Sequence, residues 1–334
     1  MNIAINGFGR IGRAAFKAIL DKPDLKIVAI NDLTDTETLA HLLKYDSCYG
    51  RYEKKVSATV NSLVVNGVKY KVLAEKEPTK LPWRELNIDI VLECTGRFTN
   101  KEEAEQHLVA GAKMVIISAP AKSEDIKTII LSVNEKELRK GDKIISMASC
   151  TTNCLAPISK IILDNFGITK AIMTTVHAYT ADQNLVDGPH KDLRRARAAA
   201  INIVPTTTGA ATAAAKTIPE LLNKFDGLSI RVPTPVVSLC DIVFITGKPV
   251  TEEKVNQALI KAAKTDYKNI VEVTEEPLVS TDLINNPASA IVDLPLTKVI
   301  DGDLLKVVAW YDNEWGYSCR LADLVVYISK NRLI

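Results

Sequence analysis

A chain of 334 residues, 47% hydrophobic and 25% charged, is ordinary for a soluble globular protein and long enough for two domains of roughly 150 residues each. With 42 Lys plus Arg against 40 Asp plus Glu the formal charge is only +2, so the basic footprint of a dedicated nucleic-acid binder is missing. The opening MNIAINGFGR has neither the charged nor the apolar region of a signal peptide, and no run of about 18 apolar residues occurs, so a cytoplasmic protein without membrane contact is expected.

The first half alternates strands and helices. NIAIN (2–6) reads as a buried strand, 10–20 as a helix, KIVAIND (26–32) as a strand and TETLAHLLKYD (36–46) as a helix. This rhythm implies a parallel sheet with helices on both faces. LVVNGVKYKVLA (63–74) reads as a hairpin, because Asn66-Gly67 supplies the positive φ angles of a type I′ turn. IDIVLECTG (88–96), KMVIISAP (113–120) and KIISMAS (143–149) return to the buried-strand pattern, so the doubly wound unit ends near residue 149.

From 150 a helix runs to about 165, followed by longer strands at 168–180, 228–235 and 236–248. Long strands without interleaved helices predict an α+β domain on a largely antiparallel sheet. A long irregular segment, 181–205, separates them, and such loops inside a compact domain are usually functional or interfacial. A last strand at 304–313 leads into a final helix near 315–330. The expected fold is α/β: an N-terminal Rossmann domain over 1–149, completed by the C-terminal helix of 314–334, and a catalytic domain over 150–313.

NGFGRIG contains G-x-G-x-x-G as Gly7, Gly9 and Gly12, set between a predicted strand and helix, with Asp32 twenty positions beyond Gly12. In that setting Gly7 makes the tight turn, Gly9 admits the pyrophosphate and Gly12 lets the helix pack on the strand, with the helix N-terminus facing the phosphates. Arg10 and Ile11 lie inside the motif, as phosphate and adenine contacts or as helix surface. Asp32 would accept from ribose hydroxyls and repel a 2′-phosphate, so the cofactor is read as NAD.

Six scattered cysteines, with no C-x-x-C pair, suit free thiols and not a disulfide framework or a zinc site, so no metal is expected. In SMASCTTNCLAP (146–157), Ser149 is a candidate N-cap that puts Cys150 in the first turn of a helix, where the dipole and free N–H groups favour a thiolate. Cys154 lies one turn deeper and reads as a buried small hydrophobe. Of four histidines, only His177 lies in a strand of the same domain, as core residue or as base. A dinucleotide site with a reactive thiol suggests aldehyde oxidation through a thiohemiacetal and a thioester.

INGFGRIGR, SAPAK, ASCTTNC, TTVHAYT, HKDLRRARAAA, PTTTGAA, RVPTP and WYDNEWGYS occur in order from residue 5 to 318. In these segments the chain resembles the phosphorylating glyceraldehyde-3-phosphate dehydrogenases of glycolysis. That resemblance implies Cys150 as nucleophile and His177 as general base. It implies Thr180, Asp182 and Arg231 at the C3 phosphate of glyceraldehyde 3-phosphate, and Ser149, Thr151, Arg195, Thr208 and Gly209 at inorganic phosphate. It also implies Asn313 at the nicotinamide carboxamide, Thr95 and Ser118 along the NAD, and a homotetramer with 184–200 at an interface. Hydroxyls, backbone N–H groups and arginine forks are the chemistry that holds phosphates.

Three departures from the resembled family stand out: Met147 where its bacterial members often carry Asn, Cys94 where Ser is frequent, and Gly188-Pro189 where Leu-Pro is frequent, with Pro189 kept in the loop that in that family approaches a neighbouring subunit's cofactor. The rival activities are an erythrose-4-phosphate dehydrogenase, which does not rely on inorganic phosphate as acceptor, and a non-catalytic NAD-binding protein. The intact PTTTGAA segment argues against the first, and the retained Cys150 and His177 against the second.

Overall fold

Short apolar segments with buried faces assemble the first sheet. A computed structural model describes residues 1–334, which divide into two compact units. The first comprises Met1–Ile129, Lys136–Ala148 and Ser318–Ile334; the second comprises Ile130–Glu135 and Ser149–Tyr317. No helix is long and apolar enough to cross a membrane.

In the first unit a nine-stranded sheet runs in the order Lys127–Thr128, Ile144–Ser146, Met114–Ile117, Ile90–Glu93, Asn2–Asn6, Lys26–Asn31, Val68–Leu73, Ser62–Val65, Val56–Thr59. The pairings are parallel up to Val68–Leu73 and antiparallel beyond it. Asn66 and Gly67 take φ of 48° and 82°, the left-handed pair that the hairpin turn requires. Strand Asn2–Asn6 lies between Lys26–Asn31 and Ile90–Glu93, so the connections leave it toward opposite edges. That reversal opens a crevice at the carboxyl ends of the strands, where the glycine turn sits.

Helix Arg10–Leu20 buries Gly12, Ala14, Ala15, Phe16, Ala18 and Ile19 on one side. The Phe16 ring meets Phe8 and Tyr70 edge to face, with centroids 5.5 and 4.9 Å away. Burying such a side chain contributes about 1.5–3 kcal/mol. Helix Lys101–Val109 begins with a reciprocal cap, Asn100 accepting from the Glu103 N–H while the Glu103 carboxylate accepts from the Asn100 N–H. The cap fixes the turn that buries Ala104 and His107.

The second unit holds an eight-stranded sheet in the order Val204–Thr207, Phe225–Val232, Ile168–Ala178, Ser238–Thr246, Leu304–Tyr311, Ala290–Asp293, Val271–Thr274, with Lys298–Ile300 paired to Leu304–Tyr311. The sheet is mixed: Ile168–Ala178 pairs parallel with Phe225–Val232, and Val271–Thr274 with Ala290–Asp293, while the remaining pairings are antiparallel. Helices Cys150–Phe166, Ala210–Thr217 and Glu252–Lys264 pack beside one another and on the sheet. Strand alternation directs Met173, Thr175 and His177 inward and leaves Ile172, Leu228 and Ile245 exposed.

Candidate active site

The cofactor side is built from backbone. Gly7 has φ of 92°, and a Cβ there would stand 2.7 Å from the Thr95 nitrogen. A Cβ on Gly12 would overlap the Gly7 carbonyl oxygen, so only glycine lets the helix approach the strand this closely. Gly9, by contrast, faces open space at the N-cap of helix Arg10–Leu20. A cleft of about 290 Å³ opens here, lined among others by Asn6, Gly9, Asn31, Asp32 and Thr95. Asp32 accepts from the N–H of Phe8 at 2.7 Å and of Thr34 at 3.0 Å, which holds its carboxylate at the cleft wall. A helix N-terminus, an unobstructed glycine face and a carboxylate beyond it are the donor and acceptor set that a dinucleotide needs.

The other residues expected on this side fall into place unevenly. Arg10 and Ile11 open the first turn of the helix, but the Arg10 guanidinium forks onto Asp46 at 3.1 and 3.2 Å and lies over the Tyr49 ring. Thr95 lines the cleft and bonds to Glu93 through both its N–H and its hydroxyl. Ser118 donates to the Glu93 carbonyl oxygen at 2.9 Å.

In the second unit, helix Cys150–Phe166 starts at Cys150 because Ser149 caps it, its hydroxyl oxygen accepting from the Thr152 N–H at 3.1 Å. Cys150 Sγ stands 3.5 Å from His177 Nε2. His177 Nδ1 is 2.7 Å from the carbonyl oxygen of Ala178, which can only accept, and 3.2 Å from Arg231 Nη1, which can only donate; the shorter contact puts the ring proton on Nδ1 and leaves the Nε2 lone pair facing the sulfur. Burial pushes the Cys150 thiol up to about 11, with Arg231 foremost among the influences pulling it down. Burial, followed by the Arg231 charge, takes His177 down to about 3. Both shifts favour the uncharged forms of the pair, against the pull that the helix start exerts toward a thiolate. The first-turn N–H groups and Arg231 ease negative charge on sulfur once Nε2 takes the proton.

Two arginines face this pair. Parallel register sets Arg231 beside His177, and its Nη1 reaches the Ala178 carbonyl and the Thr180 hydroxyl, each at 3.3 Å. Its Nε is buried with no partner, an open donor suited to an anion. Arg195 donates from Nε to the Thr206 hydroxyl at 2.9 Å, from Nη2 to the Thr207 carbonyl at 3.1 Å, and from Nη1 to Asp182. Asp182, expected at the C3 phosphate, is thus the carboxylate that orients Arg195, and burial opposed by that guanidinium leaves its carboxyl below the usual range. The Thr208 hydroxyl accepts from the Ala210 N–H at 3.2 Å, and Gly209 faces open space at the start of helix Ala210–Thr217. The Thr151 hydroxyl, expected at inorganic phosphate, is 2.8 Å from Tyr311 Oη, which also meets Thr175.

Asn313 is buried with its Oδ1 accepting from the Ser238 hydroxyl at 3.0 Å, so its amide nitrogen is left to donate. Ser238 in turn accepts from the Ala178 N–H, so the backbone of one residue, Ala178, orients both His177 and Asn313. Pro189 lies in the 181–205 loop, where Asn184 Nδ2 donates to the Gly188 carbonyl at 2.7 Å and reaches that of Pro189 at 3.4 Å. Cys154 is buried and its thiol pushed well above its ordinary value, first by burial and then by Cys240. Sequence reading gave no role to Ser238 or Tyr311. The available signal was a hydroxyl at an inward position of a strand, which has to find a partner.

Comparison with known proteins agrees with this geometry. Residues 1–101 match the family model described as glyceraldehyde 3-phosphate dehydrogenase, NAD binding domain, and residues 149–313 the model for its C-terminal domain. The chain is 56% identical over 334 residues to the glyceraldehyde-3-phosphate dehydrogenase of Geobacillus stearothermophilus, covering 100% of this chain and 99% of that protein. It is 53% identical over 334 residues to glyceraldehyde-3-phosphate dehydrogenase 1 of Bacillus subtilis, with the same coverage. Against glyceraldehyde-3-phosphate dehydrogenase 2 of Streptomyces avermitilis the identity is 52% over 330 residues, 98% of each chain. With both family models in order and similarity running from end to end, the chain belongs to the glyceraldehyde-3-phosphate dehydrogenase family.

Proposed function

We propose that this chain oxidises glyceraldehyde 3-phosphate, with NAD and inorganic phosphate, to 1,3-bisphosphoglycerate through a thioester on Cys150. The observation that carries this reading is the 3.5 Å approach of Cys150 Sγ to an imidazole whose tautomer is set by Ala178. As sulfur attacks the aldehyde carbon, its proton crosses to His177 Nε2, and the imidazolium returns it to the new alkoxide oxygen. When bound, NAD supplies the two-electron acceptor that turns this thiohemiacetal carbon into a thioester carbonyl. His177 takes the hydroxyl proton in that step. Phosphate oxygen then adds to the thioester carbonyl, the C–S bond breaks, and the departing sulfur regains its proton from His177.

The glycine turn of Gly7, Gly9 and Gly12 and the first turn at Arg10 and Ile11 hold the pyrophosphate, and Asp32 the ribose hydroxyls. Thr95, Ser118, Pro189 and Asn313 complete the cofactor contacts. Arg231 and Thr180 bind the C3 phosphate. Arg195, oriented by Asp182, binds inorganic phosphate with Ser149, Thr151, Thr208 and Gly209. The open Nε of Arg231 supports an anion there.

The protein is read as a cytoplasmic homotetramer. Its six cysteines are all free thiols, which suits a reducing compartment. Leu185, Val186, Leu193, Ile201 and Ile203 of the 181–205 loop are 70–81% exposed, an apolar surface that a second copy would cover. Light scattering should then give four chains of 36.6 kDa per particle.

The test is NADH formation from glyceraldehyde 3-phosphate with and without phosphate or arsenate, on wild type and Cys150→Ser. Phosphate-dependent turnover lost in the variant is the expected result. Equal turnover without phosphate, and preference for erythrose 4-phosphate, would overturn the acceptor assignment.

A further inference from the structure

We infer that His107 is a positioning residue for the dinucleotide cleft, acting through the buried carboxylate of Glu93 on the Asn6 and Thr95 side chains of the cleft wall. The inference rests on reading that cleft as the NAD site. Glu93 ends the strand Ile90–Glu93, whose other residues are fully buried and apolar, and is itself 1% exposed. A carboxylate in such a place is costly unless hydrogen bonds compensate it, and the proton transfers at Cys150 make no use of it.

Four donors converge on it. Oε1 accepts from the N–H of Thr95 at 2.8 Å and from the Thr95 hydroxyl; Oε2 accepts from Asn6 Nδ2 at 2.6 Å and from His107 Nε2 at 3.1 Å. The His107 ring, 0% exposed, is set by the indole of Trp83, whose Nε1 donates to His107 Nδ1 at 3.0 Å. An indole N–H can only donate, so Nδ1 holds the lone pair and the ring proton lies on Nε2, directed at Glu93. The Phe98 ring meets the imidazole edge-on, with centroids 6.1 Å apart.

From Glu93 the order reaches the cleft. Asn6 Oδ1 accepts from Asn31 Nδ2 at 2.7 Å, and Asn31 is clamped in turn by the backbone N–H and carbonyl of Glu75, each at 2.9 Å. Asn6, Asn31, Glu75 and Thr95 all line the cleft, whereas Trp83, His107 and Glu93 do not. The buried trio is thus a support behind the wall: removing the Nε2 donor leaves a buried carboxylate short of a partner, free to pull Asn6 and Thr95 out of place.

The test compares NAD dissociation constants, kcat at saturating NAD and thermal midpoints for wild type, His107→Leu, His107→Gln and Trp83→Phe. Loss of a donor to a buried carboxylate should weaken NAD binding about tenfold in His107→Leu. Glutamine can donate to Glu93 and accept from Trp83, so His107→Gln should stay within about twofold of wild type. Trp83→Phe keeps the imidazole but releases its tautomer, and should weaken NAD about threefold even if the leucine variant fails to fold. In all of them kcat at saturation should hold within about twofold, the mark of a binding effect. Unchanged NAD affinity in Trp83→Phe and His107→Leu, with only the thermal midpoint lowered, would overturn the inference. Wild type that takes up no NAD would overturn the cofactor reading itself.

Discussion

The two sites in this chain are made of different material. At the cleft proposed for NAD, a glycine turn and a helix start offer backbone N–H groups beside one carboxylate. At Cys150 they are side chains drawn from a helix, two neighbouring strands and a loop, brought together by sheet register. A site made of backbone depends first on glycines such as Gly7 and Gly12, where no Cβ fits. One made of side chains fails at single atoms while its frame survives.

The largest effect expected from that contrast is at His177. His177→Asn should lower kcat by about 10²–10⁴-fold while NAD affinity stays within about twofold, measured by steady-state kinetics and NAD titration. The same variant should be alkylated at Cys150 by iodoacetamide at least about tenfold more slowly than wild type near neutral pH. That gap should close as pH rises toward the thiol's own value of about 11, where hydroxide removes the proton unaided. Equal alkylation rates near neutrality would mean that the imidazole does not serve the sulfur.

Next is the opposite substitution. Gly12→Ala sets a methyl group against the Gly7 carbonyl oxygen, which should cost about 1–3 kcal/mol and abolish tight NAD binding, read by thermal melting and titration. Alkylation of Cys150 should be unaffected. A stable variant with wild-type NAD affinity would show that the close approach of helix and strand is not needed.

The same difference explains what was legible in the sequence. Gly7, Gly9, Gly12 and Asp32 could be read because backbone geometry forces residue type, and Asn66-Gly67 for the same reason. Cys150 at a helix start was legible from Ser149 and the strand before it. The His177 contact, 27 residues away, was not: its place in a strand of the same domain left it as core residue or base, and only the family resemblance chose between them, since strand pairing has no local trace. Helix Ala210–Thr217 also escaped, because AATAAAKT carries too few large apolar residues to show a period. The Asp182–Arg195 pair and the turn of Thr151 toward Tyr311 are likewise products of loop and sheet geometry.

Smaller effects sharpen the comparison. Ser238→Ala removes the hydroxyl that orients Asn313, and should raise the KM for NAD about three- to tenfold with kcat little changed. A fall in kcat at constant KM would assign Ser238 to the base instead. Smallest is a pH effect in the first unit. Burial raises the Asp46 carboxyl, but the Cys48 N–H and the Arg10 guanidinium outweigh it, and the folded-state value lies below the unfolded one. Its contribution to stability is therefore complete above the unfolded value and lost as pH falls below about 4. Asp46→Asn should flatten the thermal midpoint's dependence on pH in that range; an unchanged slope would contradict it.

The most direct test of the central claim is to mix the protein with NAD and glyceraldehyde 3-phosphate in the absence of phosphate, follow NADH, and locate any acyl group by mass spectrometry of the digested chain. The expected result is a burst of about one NADH per chain, an acyl group on the Cys150 peptide, and its release on adding phosphate. Continuous NADH formation without an adduct, or an acyl group carried by Cys154 or another cysteine, would contradict it.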